Sequence, residues 1–356
     1  VTDQAAGPRS APADSPVPGR RTALGIRSTA WYLPERVLPV DRVRTRDESE
    51  RTTRDGLGID TVRADDAASA VDLAERAARR ALDRAGLAAR DLDALIMIES
   101  RATETLLSSE TTLLQERLGA DDATVFSVGG LGCVSVTPAL LAARGLLASD
   151  PDMNRILIVH GSKPAAAVRY RHPVTVNGDG GQALLVTREA PVRVTDIVQR
   201  TNGRYWDLFH VDYRDRPTSQ WRETCTDPGV YSFRLAMETR SRLTKLLDEL
   251  LDRNGLARTD IDGYVSQNLS TGSFTFTQDV LDVDLLPVCR DNLRRYGHLG
   301  PNDVFLNLYS ALAQGQLPPG GRAVLINVSP VAAWSLLLVE TDPDGDRQTA
   351  ALEDVS

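Results

Sequence analysis

Apolar positions along this chain switch repeatedly between a period of about two and a period of about 3.6. β-Branched and leucine-rich runs at Ala23 to Ala30, Leu92 to Glu99, Ala123 to Val128, Arg155 to Val159 and Gly181 to Thr187 predict short buried strands. Helices are predicted between them at Ala70 to Ala85 and Ser108 to Leu118. Residues Val71 to Leu82 place small apolar side chains at helical spacing with charged ones opposite, the pattern of a helix lying on a sheet. The scheme then recurs. Val192 to Gln199 and Gly263 to Leu269 read as strands, Ser232 to Leu251 as a long amphipathic helix, and Arg322 to Val328 with Ala333 to Glu340 as a closing hairpin. At 356 residues the chain exceeds one ordinary core. Two similar α/β halves, 22–190 and 191–342, describe it better than two unrelated domains. Residues 1–21 and 343–356, where Pro, Ala, Ser, Gly and Asp cluster, read as flexible tails.

The junction between the strand Ala123 to Val128 and the Ala- and Leu-rich run from Val134 to Ala148 is Gly129-Gly130-Leu131-Gly132-Cys133. Glycines there let the backbone bend sharply and approach a ligand, and the free N–H groups of the following helix favour thiolate over thiol. Cys133 is therefore read as a nucleophile, against the alternative of a small buried core residue.

Composition narrows the remaining chemistry. Net charge is −8 with basic residues, nearly all arginine, scattered among acids, so nucleic acid is not an expected partner. Three widely spaced cysteines, Cys133, Cys225 and Cys289, indicate neither a disulfide framework nor a zinc site. No run of about 18 apolar residues is read as a bilayer span, and residues 1–20 lack a signal peptide's apolar segment. A cytoplasmic, membrane-free protein without a metal or redox cofactor is the expectation.

Four further stretches, Gly25 to Val37, Leu113 to Gly119, Asn177-Gly178-Asp179-Gly180-Gly181-Gln182-Ala183 and Arg295-Tyr296-Gly297-His298, stand in order around Cys133. With it they resemble the thiolase-fold ketosynthases of the 3-oxoacyl-acyl-carrier-protein synthase III branch. That resemblance implies a five-layered αβαβα sandwich of two pseudo-symmetric halves, a homodimer, and an acyl group carried on Cys133.

The chain departs from the condensing members in its histidines. Where they carry His-Gln-Ala-Asn, this chain has Ser266-Gln267-Asn268-Leu269, and where they carry Tyr-Gly-Asn it has Tyr296-Gly297-His298, followed by Asp303. Decarboxylative condensation needs two donors on the enolate, whereas acyl transfer needs a nucleophile, a base, an orienting group and an oxyanion hole. Cys133, His298 and Asp303 fit the second requirement. They resemble the site of ketosynthase III-like acyltransferases of natural-product pathways. In that reading Cys133 attacks an acyl-CoA or acyl-carrier-protein thioester, His298 moves the protons and Asp303 orients the ring.

Secondary candidates surround this trio. Ser266 and Asn268 stand at the expected strand end. His210, among aromatic neighbours, is the rival base. His160 and His172 are read as structural or solvated. The resemblance implies an oxyanion hole made by the Cys133 backbone N–H and a second donor from the loop Asn327 to Trp334, although that loop lacks the usual glycines and Pro330 has no N–H. Trp334 is a candidate substrate contact. Asn177 to Gly181 precedes a strand and reads as a structural turn, and Arg290, Arg294 and Arg295 as a solvated helix face. The acceptor, a hydroxyl, an amine or a carrier thiol, stays open. The alternatives are a condensing enzyme with altered residues and a catalytically silent thiolase-fold subunit.

Overall fold

A computed structural model describes residues 24–343, and apart from Pro343 the expected tails lie outside the described residues. Nine strands form the main sheet: β1 (Leu24–Tyr32), β2 (Ala94–Ile98), β3 (Thr124–Val128), β4 (Ile156–Ser162), β5 (Gly180–Thr187), β6 (Val192–Thr201), β7 (Gly263–Ser266), β8 (Arg322–Ser329) and β9 (Ala333–Thr341). Their order is β7-β8-β9-β6-β1-β5-β4-β2-β3. Only three residue pairs, Leu24 with Val194 through Ile26 with Val192, join β1 to β6, against nine between β6 and β9. The sheet is thus two half-sheets sharing a narrow seam. The first half-sheet ends at Thr187 and the second opens at Val192.

The helices among the described residues are α1 (Glu48–Asp55), α2 (Ala70–Ala85), α3 (Glu110–Leu118), α4 (Val136–Ser149), α5 (Ala236–Asn254), α6 (Thr271–Leu281), α7 (Val288–Tyr296) and α8 (Asp303–Ala313). Strand alternation sorts side chains between them. Leu95 and Met97 of β2 face outward onto Val71, Ala74 and Ala78 of α2. Ala94, Ile96 and Ile98 face inward onto Val136 and Leu140 of α4 and Val304, Phe305 and Leu308 of α8. In the second half Val324, Ile326 and Leu336 face Leu243, Leu247 and Leu250 of α5, while Leu325, Leu337 and Val339 face the centre. The result is five layers, helix–sheet–helix–sheet–helix. In the first half the outer helix lies unusually close to its sheet. A Cβ on Gly161 would fall 1.8 Å from Ala70 O, and one on Gly181 would fall 1.9 Å from Leu73 O.

Gly132–Ser149, contrary to the expectation of no such run, is long and apolar enough to cross a membrane. Its side chains Val136, Ala139, Leu140, Ala143 and Leu147 are instead spent in the central core. β7 stops at Ser266, short of the expected Leu269, because the Asn268 N–H turns to Asp303 Oδ2 (2.9 Å) instead of a neighbouring strand. The long helix predicted from Ser232 opens with a wider turn at Val230–Leu235 before α5. α8, not anticipated, is buried on every side from Asp303 to Leu312 and so shows no amphipathic period to detect.

Candidate active site

Cys133 follows β3 across a turn that only glycine accommodates easily. Gly130 and Gly132 have φ of 81° and 55°, and a Cβ on Gly132 would lie 2.7 Å from Ser329 Oγ. This lets the β8–β9 turn close over the cysteine. A single tight helical turn, Gly132–Ser135, then leads into α4, placing the buried thiol at the positive end of a core helix.

His298 arrives from the other half. The chain leaves α7 through Gly297 (φ 59°), where a Cβ would fall 2.6 Å from Val176 O. The His298 N–H then donates to Val176 O (2.9 Å), and its carbonyl accepts from Gly178 N–H (3.0 Å). The Asn177 to Gly181 stretch is therefore a structural clamp on the His298 backbone. It is braced by Asp179, whose two oxygens accept from Arg169 at 2.6 and 2.8 Å.

These constraints set His298 Nε2 2.9 Å from Cys133 Sγ and His298 Nδ1 2.6 Å from Asp303 Oδ2. Asp303, the first residue of α8, is fixed in turn. Its Oδ1 accepts from Leu299 N–H (2.8 Å) and its Oδ2 also accepts from Asn268 N–H. His298 and Asp303 are fully buried. Burial alone raises the Cys133 thiol, yet the His298 charge and hydrogen bond, helped by Arg171 and Arg101, bring it from 9.0 down to about 7. Burial lowers His298, and the Cys133 thiolate and Asp303 overcome this and push it up to about 9. Each member of the pair favours the other's charged form, so thiolate and imidazolium coexist near neutral pH.

No family model matches the chain. The beta-ketoacyl-[acyl-carrier-protein] synthase III of Ruegeria pomeroyi is 27% identical over 326 residues, 88% of this chain and 98% of the relative. The corresponding protein of Cereibacter sphaeroides is 28% identical over 328 residues, with the same shares. The chain is a ketosynthase III homologue. Among solved structures, ChlB3, described as an acyltransferase, superposes with a TM-score of 0.74 at 20% identity, covering 90% of this chain and 99% of that one. The Pseudomonas aeruginosa 3-oxoacyl-(acyl carrier protein) synthase III gives 0.73 at 20% identity over 90% and 98%. Xanthomonas campestris OleA with bound lauric acid and lauroyl-CoA gives 0.71 at 20% identity over 90% and 99%. These likenesses make the five-layered fold the thiolase fold, and the relatives named are enzymes.

In this ketosynthase III homologue the secondary candidates fall in different places. Asn268 reaches the imidazole only through Asp303. Its Oδ1 accepts from Asn307 Nδ2 (2.8 Å), and its Nδ2 is buried without a hydrogen-bond partner. The Ser266 carbonyl accepts from the same Asn307 Nδ2 (2.7 Å), and Ser266 lines an apolar cavity of about 300 Å³ that extends to Ser329 and Pro330. His210 is not set to act as base. It lies on a hairpin, Phe209–Val211 with Glu223–Cys225, and its half-exposed ring faces Asp212 at 3.4 Å. It does line the cavity at Cys133. Trp334 is a core residue, not a substrate contact, because it is fully buried with Nε1 donating to Thr239 Oγ1 (3.0 Å). His160 donates to Ile98 O through Nδ1 (3.0 Å), and His172 contacts the Tyr170 hydroxyl through Nδ1 (3.0 Å). Arg290, Arg294 and Arg295 are exposed on α7, with Arg294 paired to Asp60 at 2.7 Å.

The β8–β9 turn has little backbone left to donate. Pro330 has no N–H, Ala332 N–H goes to Ser329 O (2.9 Å), and Val331 N–H points to Ser329 Oγ (3.5 Å). The Ser329 hydroxyl keeps its own proton and lines the cavities on both sides. Sequence reasoning passed over it. It also passed over Arg101, Arg171 and Glu223, which line the Cys133 cavity. The signal available for Arg101 was its position just beyond the carboxyl end of β2, where ligands of α/β sheets collect. Arg171 and Glu223 carried none, since their pairing spans 52 positions of sequence.

Proposed function

We propose that this protein is an acyltransferase of a natural-product pathway of polyketide type. It takes an acyl group from a CoA or acyl-carrier-protein thioester onto Cys133 and passes it to a hydroxyl, an amine or a carrier thiol. The thiolate attacks the thioester carbonyl, the tetrahedral oxyanion is met by the helix-end N–H groups and the Ser329 hydroxyl, and the donor thiol leaves with the His298 proton. Neutral His298 then accepts the acceptor's proton as the acceptor attacks the Cys133 thioester. Collapse of that second intermediate regenerates the thiolate–imidazolium pair.

The observation that carries this reading is the Asp303 carboxylate on His298 Nδ1. A carboxylate there raises the basicity of the ring, which suits proton shuttling. Condensation would instead need two neutral donors on an enolate, and the end of β7 offers one side-chain amide, Asn268 Nδ2, while Ser266 O and Asn268 Oδ1 are acceptors already bound to Asn307. The described acyltransferase ChlB3 among the structural relatives supports the same reading. A homodimer is part of the proposal, supported by the free edge of β3 and by Leu106 and Leu107, the most exposed large apolar side chains described.

The test is to isolate the acyl-enzyme by desalting and offer it a sugar alcohol, an amine and a holo-carrier protein in turn. The reading predicts an acylated acceptor, free enzyme and no carbon dioxide. Carbon dioxide released from a malonyl donor with a carbon–carbon-bonded product would establish the condensing alternative, and an enzyme that never acylates would establish the silent subunit.

A further inference from the structure

The cavity at Cys133, about 240 Å³, is walled by Arg101, Ala165, Arg171, Phe209, His210 and Glu223. Two guanidinium groups therefore face one carboxylate. Arg171 Nε is bound to Glu223 Oε2, and both side chains are nearly buried. Arg101 has no such partner. Among the described residues its Nη1 donates only to the Lys163 carbonyl (3.2 Å), while Nη2 is shut off from solvent and has no hydrogen-bond partner. His160, beside Nη2, brings no negative charge. His160 Nε2 and Arg101 Nη2 lie 3.6 and 3.3 Å from the same point over Gly300. Burial holds His160 neutral, down to about 4.

In the free enzyme the Cys133 thiolate offsets this surplus positive charge across the cavity, and Arg101 and the thiolate favour each other's charged forms. Acylation removes that negative charge. The sulfur becomes a neutral thioester and the proton leaves His298 with the donor thiol, so the net charge is unchanged, but Arg101 loses the thiolate as a partner and keeps only the fields of Glu223 and Asp303, with Nη2 still unsatisfied. An acyl group bearing its own anion would replace the partner that Arg101 loses.

We propose that Arg101, with the Arg171–Glu223 pair behind it, binds the free carboxylate of the acyl group, so that the donors are monothioesters of short dicarboxylic acids. This rests on the acyl-transfer reading and adds the substrate class to it. The carboxylate pairs with the Arg101 guanidinium and lies beyond the thioester carbonyl, leaving the carbonyl to the Ser329 side of the cavity. Neutral acyl groups of equal length leave the same donor unsatisfied.

The experiment is intact-protein mass spectrometry over time with malonyl, succinyl and glutaryl thioesters of pantetheine, each against its neutral isostere, the butyryl series and the methyl esters. Wild type is expected to load a carboxylated donor at least about tenfold faster than its isostere, with the adduct mass showing the carboxylate retained. Arg101→Met is expected to reverse the preference, and Arg101→Lys to keep it in part. Iodoacetamide labelling of Cys133 in each variant reports that the site is still formed. Equal or faster loading of neutral donors by wild type, or a preference unmoved in Arg101→Met, overturns the proposal and leaves acyl transfer standing. No adduct from any donor on a labelling-competent enzyme overturns both.

Discussion

Asp303→Asn isolates the electrostatic half of the Cys133–His298–Asp303 arrangement while nearly preserving shape. Asp303 Oδ1 accepts from Leu299 N–H, and Oδ2 accepts from both His298 Nδ1 and Asn268 N–H. An asparagine has one acceptor oxygen, so in either orientation its NH2 meets a donor, and the imidazolium loses its carboxylate. The His298 proton is then held less tightly and the cysteine loses the charge that lowers it. With the thiol at about 7, about half of Cys133 is thiolate at pH 7. Returned to 9.0, about 1% is, a loss of roughly 50-fold. The assay is the pseudo-first-order rate of iodoacetamide alkylation between pH 5 and 10 (about the titration range of thiols), with thiolate absorbance as a second readout. Wild type should inflect near 7. The variant should inflect well above it, with a rate at pH 7 lower by about 50-fold and a similar plateau at high pH. An unchanged profile would refute the claim that Asp303 acts on Cys133 through His298.

Other consequences follow from the same geometry. Ser329→Ala removes the hydroxyl proposed to meet the oxyanion and should slow acylation by about 100-fold, leaving the alkylation inflection near 7. A shift of that inflection would give Ser329 a different role. His160 is held at about 4 in the fold against 6.5 unfolded, chiefly by burial. The unfolded chain therefore binds the extra proton between those values, so stability is full above 6.5 and falls with acidification toward 4, by about 3 kcal/mol. Urea unfolding at neutral and acid pH should show this loss shrinking in His160→Asn, and an equal loss in both would contradict it. Gly181→Ala would place a Cβ 1.9 Å from Leu73 O and force α2 off its sheet. It should lower stability by about 3 kcal/mol or more, read as the melting temperature, and an unchanged melting point would remove close packing as the reason for that glycine.

Local period and punctuation made much of the fold legible. The capping pair Ser69 and Asp72 and the left-handed Gly86 bound α2 at Ala70 and Ala85, where the apolar stripe begins and ends. The glycines before Cys133 marked its turn because positive φ is required there. What stayed hidden lacks a local signature. α8 is buried all round, and Trp334 satisfies its N–H on Thr239, 95 positions away, so an aromatic in a core and an aromatic in a pocket look alike in sequence. The charged wall of Arg101, Arg171 and Glu223 is assembled from three separate segments. His298 and Asp303 were legible as a pair because five positions separate them, but their meeting with Cys133, 165 positions away, came from the resemblance.

The most direct test of acyl transfer through Cys133 is the intact mass of wild type and Cys133→Ala after exposure to a panel of acyl thioesters, dicarboxylic ones included. A donor-specific mass gain in wild type, absent in Cys133→Ala and discharged by an acceptor, is the predicted result. An adduct that persists in Cys133→Ala, or none from any donor while Cys133 still alkylates readily, would contradict it.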